Sequence, residues 1–295
     1  MRHQTQVKWL AYTLLTPAFL LSLILIVYPL YVTAHLSLRE GVGHGFGRFH
    51  EFSLGFANYS AVLSDPSTWA SLGRAMMYLA GSTGLGFIFG LLTALLLNKN
   101  IFARRWQRML ILLPWAVPGV VASITFMWML NGSYGVLNHL LVRVGILEEY
   151  VSWFTQSNTA MAAVIMPTFW KGYPFFTITL LAALQSVPTM LYDAATVDGA
   201  SAFQQFRHVT WAAIKNAALL ALILNGLWTF RVFDIIYSTT GGGPNRATET
   251  LSIAIYNEAF QYFRMGRAGA LGIIALVFVS IVVLALYPKM KKGFF

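Results

Sequence analysis

The chain reads as long apolar blocks set apart by short charged stretches. No acidic or basic residue lies between Trp9 and Leu38, which brackets a first span at about 10–34. The charge-free run from Ala75 to Asn98 gives a second span, at 75–98. A third falls at about 109–130, and a fourth at about 159–184, interrupted by Lys171. The fifth, at about 216–236, carries Arg231 and Asp234 near one end, and the sixth runs over 268–288. Each approaches or exceeds the roughly 20 residues an α-helix needs to cross the hydrocarbon layer. Period-2 alternation is lacking, which argues against a β-barrel. The pattern therefore predicts an all-α integral membrane protein, with residues 1–295 forming one transmembrane domain of six helices. The first apolar block is too long for a secretory signal and no small-x-small cleavage site follows it, so it reads as a retained helix.

Composition agrees and adds an orientation. The chain is 57% hydrophobic and only 10% charged, against about 25% charged in an ordinary soluble domain. Lipid must therefore replace water over much of the surface. Cysteine is absent, so disulfides and thiolate sites are excluded, and the outward loops must be held by packing and hydrogen bonds. The net charge of +10 is spread between apolar blocks and forms no single patch, which points to topology and away from nucleic acid. Six spans put both termini on one side. With that side inside, eleven basic residues are cytoplasmic and seven are outside. The clusters at 104–108 and 289–292 lie close to span ends, where the positive-inside rule is strongest. The expected topology is N-in, C-in. Segments at about 35–74, 131–158 and 237–267 are then outside, and 99–108, the long 185–215 loop and the tail are inside.

The long inner loop is more than a connection. Pro188 and Thr189 can start a helix, in which Leu191, Ala194 and Ala195 mix with Asp193 and Asp198 in an amphipathic pattern. Gly199 can take φ > 0 and turn the chain. A second helix begins near Ser201 and carries Phe203, Phe206 and Val209 toward the fifth span. A helix–glycine–helix hairpin at a membrane surface is a rigid knob offered to a soluble partner.

The string DAATVDGA, followed by Phe206 and Val209, resembles the loop of ABC importer permeases whose pattern is E-A-A-x-x-D-G-A. The resemblance implies a coupling helix that docks into an ATPase subunit. It assigns Asp193, Ala194, Ala195, Asp198, Gly199 and Ala200 to the motif, with Phe203 and Phe206 beside it. There are two departures. Asp193 stands where the family has Glu, and Ala212 where it usually has Pro. WKGYPFF (170–176), FDIIYSTTGGGPNRATETLSIAIYNEAF (233–260) and FANYSAVLSD (56–65) resemble the sugar-importer branch that handles maltose, glycerol-3-phosphate or trehalose. By that resemblance the chain is a non-catalytic permease subunit in a bacterial inner membrane. Its partners would be a second, homologous permease, two ATPase subunits and an extracytoplasmic solute-binding protein. The cofactors, ATP and Mg²⁺, would sit on the ATPase partners, with none on this chain.

Charges inside spans are functional candidates by default, because each costs at least about 2.5–3.5 kcal/mol on insertion scales. Lys171 lies near the middle of the fourth span, with Pro174 three residues on. Arg231 and Asp234 stand at i and i+3, spaced to pair on one helix face, and Asn225 and Trp228 precede them at the same stride. Trp170, Lys171, Tyr173, Asn225, Trp228, Arg231 and Asp234 supply the polar groups and aromatic faces that hold a sugar. The competing reading is a structural Arg–Asp pair with interfacial aromatic anchors.

Other motifs carry less. GLGFIFG (84–90) lacks the context of a phosphate loop, and Gly86 and Gly90 read as a small-xxx-small helix contact. GVGHGFG (41–47) reads as a connector, and TGGGP (240–244) as a tight outer turn. The six histidines show no i, i+4 pair that would suggest metal ligation. With no nucleotide-binding motif in the chain, an ATP-driven cycle requires a separate ATPase. The alternative is a secondary transporter or channel driven by an ion gradient. Asp234, the only acidic residue within a span, would then have to serve the coupling ion.

Overall fold

The computed structural model describes residues 2–40, 53–99 and 104–291. The connector at 41–47 lies outside the described residues. The chain runs as α1 (Arg2–Ser22), a π turn (Leu23–Val27) and α2 (Tyr28–Ser37), then a two-residue hairpin pair, β1 (Arg39–Glu40) and β2 (Ser53–Leu54). It continues through α3 (Ala57–Ser64), α4 (Pro66–Asn98), α5 (Arg104–Ala116), α6 (Gly119–Met129), α7 (Val136–Arg143) and α8 (Ala160–Gln185). The inner loop forms α9 (Thr189–Val197) and α10 (Ala202–Gln205), and a π turn (Phe206–Thr210) leads into α11 (Trp211–Phe230). Then come α12 (Asp234–Thr239), α13 (Leu251–Tyr256) and, after a π turn (Asn257–Gln261), α14 (Met265–Lys291).

Four continuous helical stretches are long and apolar enough to cross a membrane: Tyr12–Ser37, Pro66–Asn98, Ala202–Phe230 and Met265–Leu286. Two bent pairs bring the possible number to six. One pair is α5 and α6, which meet at 95°; the other is α8 and α9, at 70°. The expected third span is therefore a broken helix. The expected fifth span also ends early, at Phe230, because Arg231 leaves the helix and a new one starts at Asp234.

The second helix begins at Pro66, nine residues ahead of the expected start, for a local reason. Proline has no amide to leave unpaired in a first turn, and the preceding Asp65 carboxylate accepts the Ser67 backbone N–H at 2.9 Å. The Ser67 amide and hydroxyl, with Arg267, hold the Asp65 carboxyl below its ordinary value. Arg74 thus falls inside the helix and not in a loop.

The chain packs as two compact units, residues 1–69 with 254–278 and residues 70–253 with 279–295. In the first unit, residues 12–31 are exposed throughout, as befits a span facing lipid. Its polar end is tied by Asn58, which donates to the carbonyls of Ser37 (3.1 Å) and Arg39 (2.7 Å), and by an Arg267–Asp65 ion pair at 2.9 Å. The core of the second unit is α4, α8 and α11. Ala94 and Leu97 pack there with Phe176, Leu180, Leu184, Ile214, Ala218 and Ala221, all buried.

At Gly86 and Gly90 α4 and α8 come close, as the small-residue spacing predicts. A side chain at Gly90 would run into Phe176 and come within 3.0 Å of the Tyr173 carbonyl and 3.1 Å of the Thr177 amide. Phe176 is fully buried and meets Phe87 edge to face at 5.7 Å. Gly84, six residues before Gly90, has nothing within 4 Å of where a side chain would project. Overpacking costs about 1–3 kcal/mol where neighbours can shift, and a backbone neighbour shifts least. Gly90→Leu is expected to lower the thermal stability of the detergent-purified protein by several degrees, and Gly84→Leu to leave it within a degree or two. Equal losses in the two variants would refute this account of the helix contact.

Candidate functional site

The break in the α5–α6 pair gathers charge at membrane depth. Its sequence, LLPWAVPGVV (112–121), holds two prolines and a glycine. Pro118 takes φ −57°, ψ 143° and stops α5 from continuing. Backbone groups freed in this way must find partners inside the protein. The Lys171 ammonium, on α8, donates to the Val117 carbonyl at the break. On the other side, the Asp234 carboxylate lies against Gly119, the first residue of α6, so closely that a side chain at Gly119 would overlap it. An acidic group is favoured at a helix N-terminus, where backbone N–H groups converge. Lys171 also lies within electrostatic reach of Asp234, although the two form no ion pair among the described residues. The break is thus bracketed by a cation at its carbonyl end and a carboxylate at its amide end.

Asp234 is paired with the break and not with Arg231. Arg231 is exposed where α11 ends, and forms no ion pair with Asp234. The i, i+3 expectation fails because the helix it assumed ends at Phe230, before either residue. Tyr78 joins the site from α4. It is buried, its hydroxyl bonds that of Thr168, and it feels the Asp234 charge.

The remaining predicted residues are dispersed. Asn225 is buried, and its Oδ1 accepts from Thr83 (3.1 Å) and Thr229 (3.3 Å), which ties α11 to α4. Trp170 meets Phe126 edge to face at 5.8 Å, while Trp228 meets Phe175 at 5.0 Å. Tyr173 is half-buried on α8. Of the seven, Lys171 and Asp234 are brought together, with Trp170 adjacent in sequence.

The inner loop folds as a helix–glycine–helix hairpin. Gly199 takes φ +75°. Ser201 and Gln204 form a reciprocal capping box that starts α10. The Tyr192 hydroxyl meets that of Thr210 at 3.0 Å, and the Gln205 amide donates to Thr196 Oγ1 at 3.1 Å. These bonds lock the two arms together. Asp193, Ala194 and Asp198 are exposed, and Ala195 and Ala200 are partly exposed. Met190, Val197 and Phe203 are 77%, 88% and 70% exposed, respectively, while Phe206 is half-buried. Bulky apolar side chains so exposed on a polar-flanked hairpin mark an interaction face.

The segments at 131–158 and 240–250 are held by single buried polar residues. Asn138, fully buried, donates to the Asn131 and Val151 carbonyls at 2.9 Å and accepts from Trp153 Nε1 at 2.8 Å. Glu249, 4% exposed, accepts from Arg246 Nε (2.9 Å) and Ser71 Oγ (3.2 Å), while Arg74 donates to its carbonyl at 2.8 Å. The TGGGP turn folds over this centre with positive φ at Gly241 and Gly242 and a cis Gly243–Pro244 bond.

With the geometry in hand, likeness to known proteins decides the family. Residues 86–292 match the family described as binding-protein-dependent transport system inner membrane component. The chain belongs to that family. This permease is 37% identical to a trehalose/maltose transport system permease of Thermococcus litoralis, over 92% of its own length and 90% of the relative's. It is 34% identical to a sulfoquinovosyl glycerol transport system permease of Agrobacterium fabrum, over 97% of its own length and 91% of the relative's. Its fold matches a chain of a bacterial ABC transporter that imports the polysaccharide alginate, with a TM-score of 0.81, 23% identity and 99% of both chains covered. The protein is a multi-pass inner-membrane permease component, a non-catalytic subunit.

The break predicts how variants of this permease behave. Lys171→Ala leaves the Val117 carbonyl without its donor, a loss of about 1–3 kcal/mol or roughly ten- to hundred-fold in the population of this arrangement. Transport by the assembled complex should fall accordingly, with subunit stoichiometry preserved. Adding Asp234→Asn removes the carboxylate left without its counter-charge and should restore part of the loss. Normal transport by the Lys171→Ala complex would show that the bracketed break plays no part in the pathway.

Proposed function

We propose that this permease forms half of the translocation pathway of an ATP-driven importer for a sugar or sugar-like polyol, in the range of disaccharides, oligosaccharides and glycerol-phosphate-like solutes. The observation that carries the reading is the inner-loop hairpin, a stiff, exposed, partly apolar knob at the position where the family resemblance puts the ATPase contact. The substrate class rests on the relatives, whose names specify trehalose or maltose and sulfoquinovosyl glycerol. A second, related permease completes the pathway, and two ATPase subunits bind ATP and Mg²⁺. A solute-binding protein delivers the substrate from outside; one similar structure is of an alginate transporter in complex with a pentasaccharide-bound periplasmic protein. Both termini are cytoplasmic, and the hairpin lies on the same side.

Transport proceeds by alternating access. ATP binding closes the ATPase pair and moves the docked hairpins with it, and the spans rock open to the outside. The polar and aromatic residues Trp170, Lys171, Tyr173, Asn225, Trp228, Arg231 and Asp234 border the route, with Lys171 and Asp234 at the broken span. A gradient-driven carrier is disfavoured, because the Asp234 carboxylate already rests against the first residue of α6. In proteoliposomes holding the full complex, uptake should require ATP and survive collapse of ion gradients. Robust uptake by this chain alone would overturn the assignment.

Gly199 gives the sharper test. No atom lies within 4 Å of where its side chain would project, so a substitution there acts through φ alone. A β-branched residue at φ +75° is strained by roughly 1–3 kcal/mol, enough to weaken docking about ten- to hundred-fold. Gly199→Val should therefore insert normally yet lose ATPase association and receptor-stimulated hydrolysis. Gly199→Asn, which tolerates the left-handed region, should retain most of both. If the Val variant keeps full stoichiometry and full stimulation, the hairpin is not the coupling element.

A further inference from the structure

Beside the hairpin, α4 and the start of α11 leave an open crevice of about 300 Å³. It is lined by Phe87, Leu91, Phe203, Phe206 and Trp211, with Arg207 as its one charged residue. Phe87 and Trp211 meet edge to face at 6.4 Å across it. Three features define what can fill it. The lining is aromatic and aliphatic, so the occupant must be apolar over most of its length. Trp211 stands four residues beyond Arg207 on the same continuous helix, about 6 Å at 1.5 Å per residue, so the crevice runs from the guanidinium toward the apolar length of α11. Finally, Arg207 is exposed and forms no hydrogen bond or ion pair among the described residues. It lies just ahead of the apolar stretch, at the level where headgroups meet water.

An apolar slot that runs into the bilayer from a guanidinium at its mouth matches one class of molecule. We infer that the crevice seats an acyl chain of an anionic phospholipid of the inner leaflet, with the headgroup phosphate paired to Arg207. Basic residues at the cytoplasmic membrane surface attract anionic lipid, and the guanidinium fork suits a phosphate. Buried methylenes of the chain add to the affinity without selecting the headgroup, so selectivity rests on Arg207. The lipid would touch Phe203 and Phe206 at the root of the hairpin. This site rests on the proposed orientation for its leaflet, but not on the proposed substrate or ATPase coupling.

The test uses the complete purified transporter, delipidated in detergent and titrated with phosphatidylglycerol or phosphatidylcholine carrying brominated acyl chains. Bromine quenches nearby tryptophans, and a Trp211→Phe complex isolates the signal of this one among the nine in the chain. Phosphatidylglycerol should quench Trp211 at about tenfold lower concentration than phosphatidylcholine, and Arg207→Gln should abolish that difference. Millimolar inorganic phosphate should fail to compete, since a free anion lacks the chain. Equal potency of the two lipids, or an unchanged preference in Arg207→Gln, overturns the proposal. So does absence of quenching combined with disulfide cross-linking of Phe203→Cys to the second permease, which would assign the crevice to a protein contact. The leaflet is checked separately with Ser201→Cys in this cysteine-free chain. Labelling by an impermeant maleimide only after permeabilisation supports the inner leaflet, and labelling of intact cells overturns it. Lipid binding requires neither ATP nor substrate, so a failure of the transport reading leaves its outcome readable.

Discussion

A backbone that stops being helical within a membrane must be satisfied by the protein itself. An unpaired carbonyl or amide in hydrocarbon costs several kcal/mol, and an uncompensated charge there costs as much or more. At Val117–Pro118 the two costs cancel each other. The Lys171 ammonium is tolerable at mid-span because the Val117 carbonyl accepts from it. The break is tolerable because Lys171 is there to meet it. Asp234 completes the arrangement from the start of α12 by lying against Gly119, within electrostatic reach of Lys171. Three helical spans and one short helix thereby depend on a single polar junction. Each partner in this junction is costly to leave alone.

The same accounting governs the segments that a cysteine-free chain must hold without disulfides. Asn138 and Glu249 each bury a polar head, Asn138 tying the segments at 131 and 151–153 together and Glu249 collecting Ser71 and Arg246 on its carboxylate and Arg74 on its backbone carbonyl. A buried amide or carboxylate bonded to several segments favours one conformation, because others leave it unsatisfied. The TGGGP turn shows the geometry this requires. Its glycines take backbone angles that place Thr248 and Glu249 beneath the turn, where the Thr240 and Thr248 hydroxyls meet at 2.6 Å.

Much of this was legible in the order of the residues, and the failures share a cause. Apolar run length located the long helices, four to six of which are long and apolar enough to cross a membrane, because hydrocarbon thickness sets helix length directly. The Gly86–Gly90 spacing marked a true close approach, and Pro188, Gly199 and Ser201 marked the hairpin's start, turn and restart. Run length is blind to breaks, however, so the PWAVPG stretch was absorbed into one span although Pro114, Pro118 and Gly119 signalled the interruption. Spacing also assumed a continuous helix from Arg231 to Asp234, and that pair dissolved once the helix ended at Phe230. Lys171 was visible as a lone charge, but its partner was a backbone carbonyl 54 residues away, which has no signature in the sequence. Tyr78 and Glu249 were missed for the same reason. Neither is unusual in type, and both matter only through what folding brings beside them.

The hairpin and the broken span are joined by one stiff element. Ala202 to Phe230 is a continuous 29-residue helix, about 44 Å long at 1.5 Å per residue. At one end the Tyr192–Thr210 and Gln205–Thr196 bonds fix α9 to it. At the other, the chain passes through Arg231, Val232 and Phe233 to Asp234, which rests on the first residue of α6. A rotation or shift imposed on the hairpin cannot be absorbed within the hairpin, because its only left-handed residue, Gly199, is bracketed by the capping box and the inter-arm bonds. It can be absorbed at the three-residue turn, or it can move Asp234 relative to Gly119 and Lys171. Asn225, buried between Thr83 and Thr229, pins the helix to α4 five residues before its end at Phe230, so the element can pivot there but cannot slide freely. If the hairpin docks on an ATPase as proposed, the pivot converts a movement at one membrane face into a change at the charged break, and no residue between the two need bind substrate for the coupling to work.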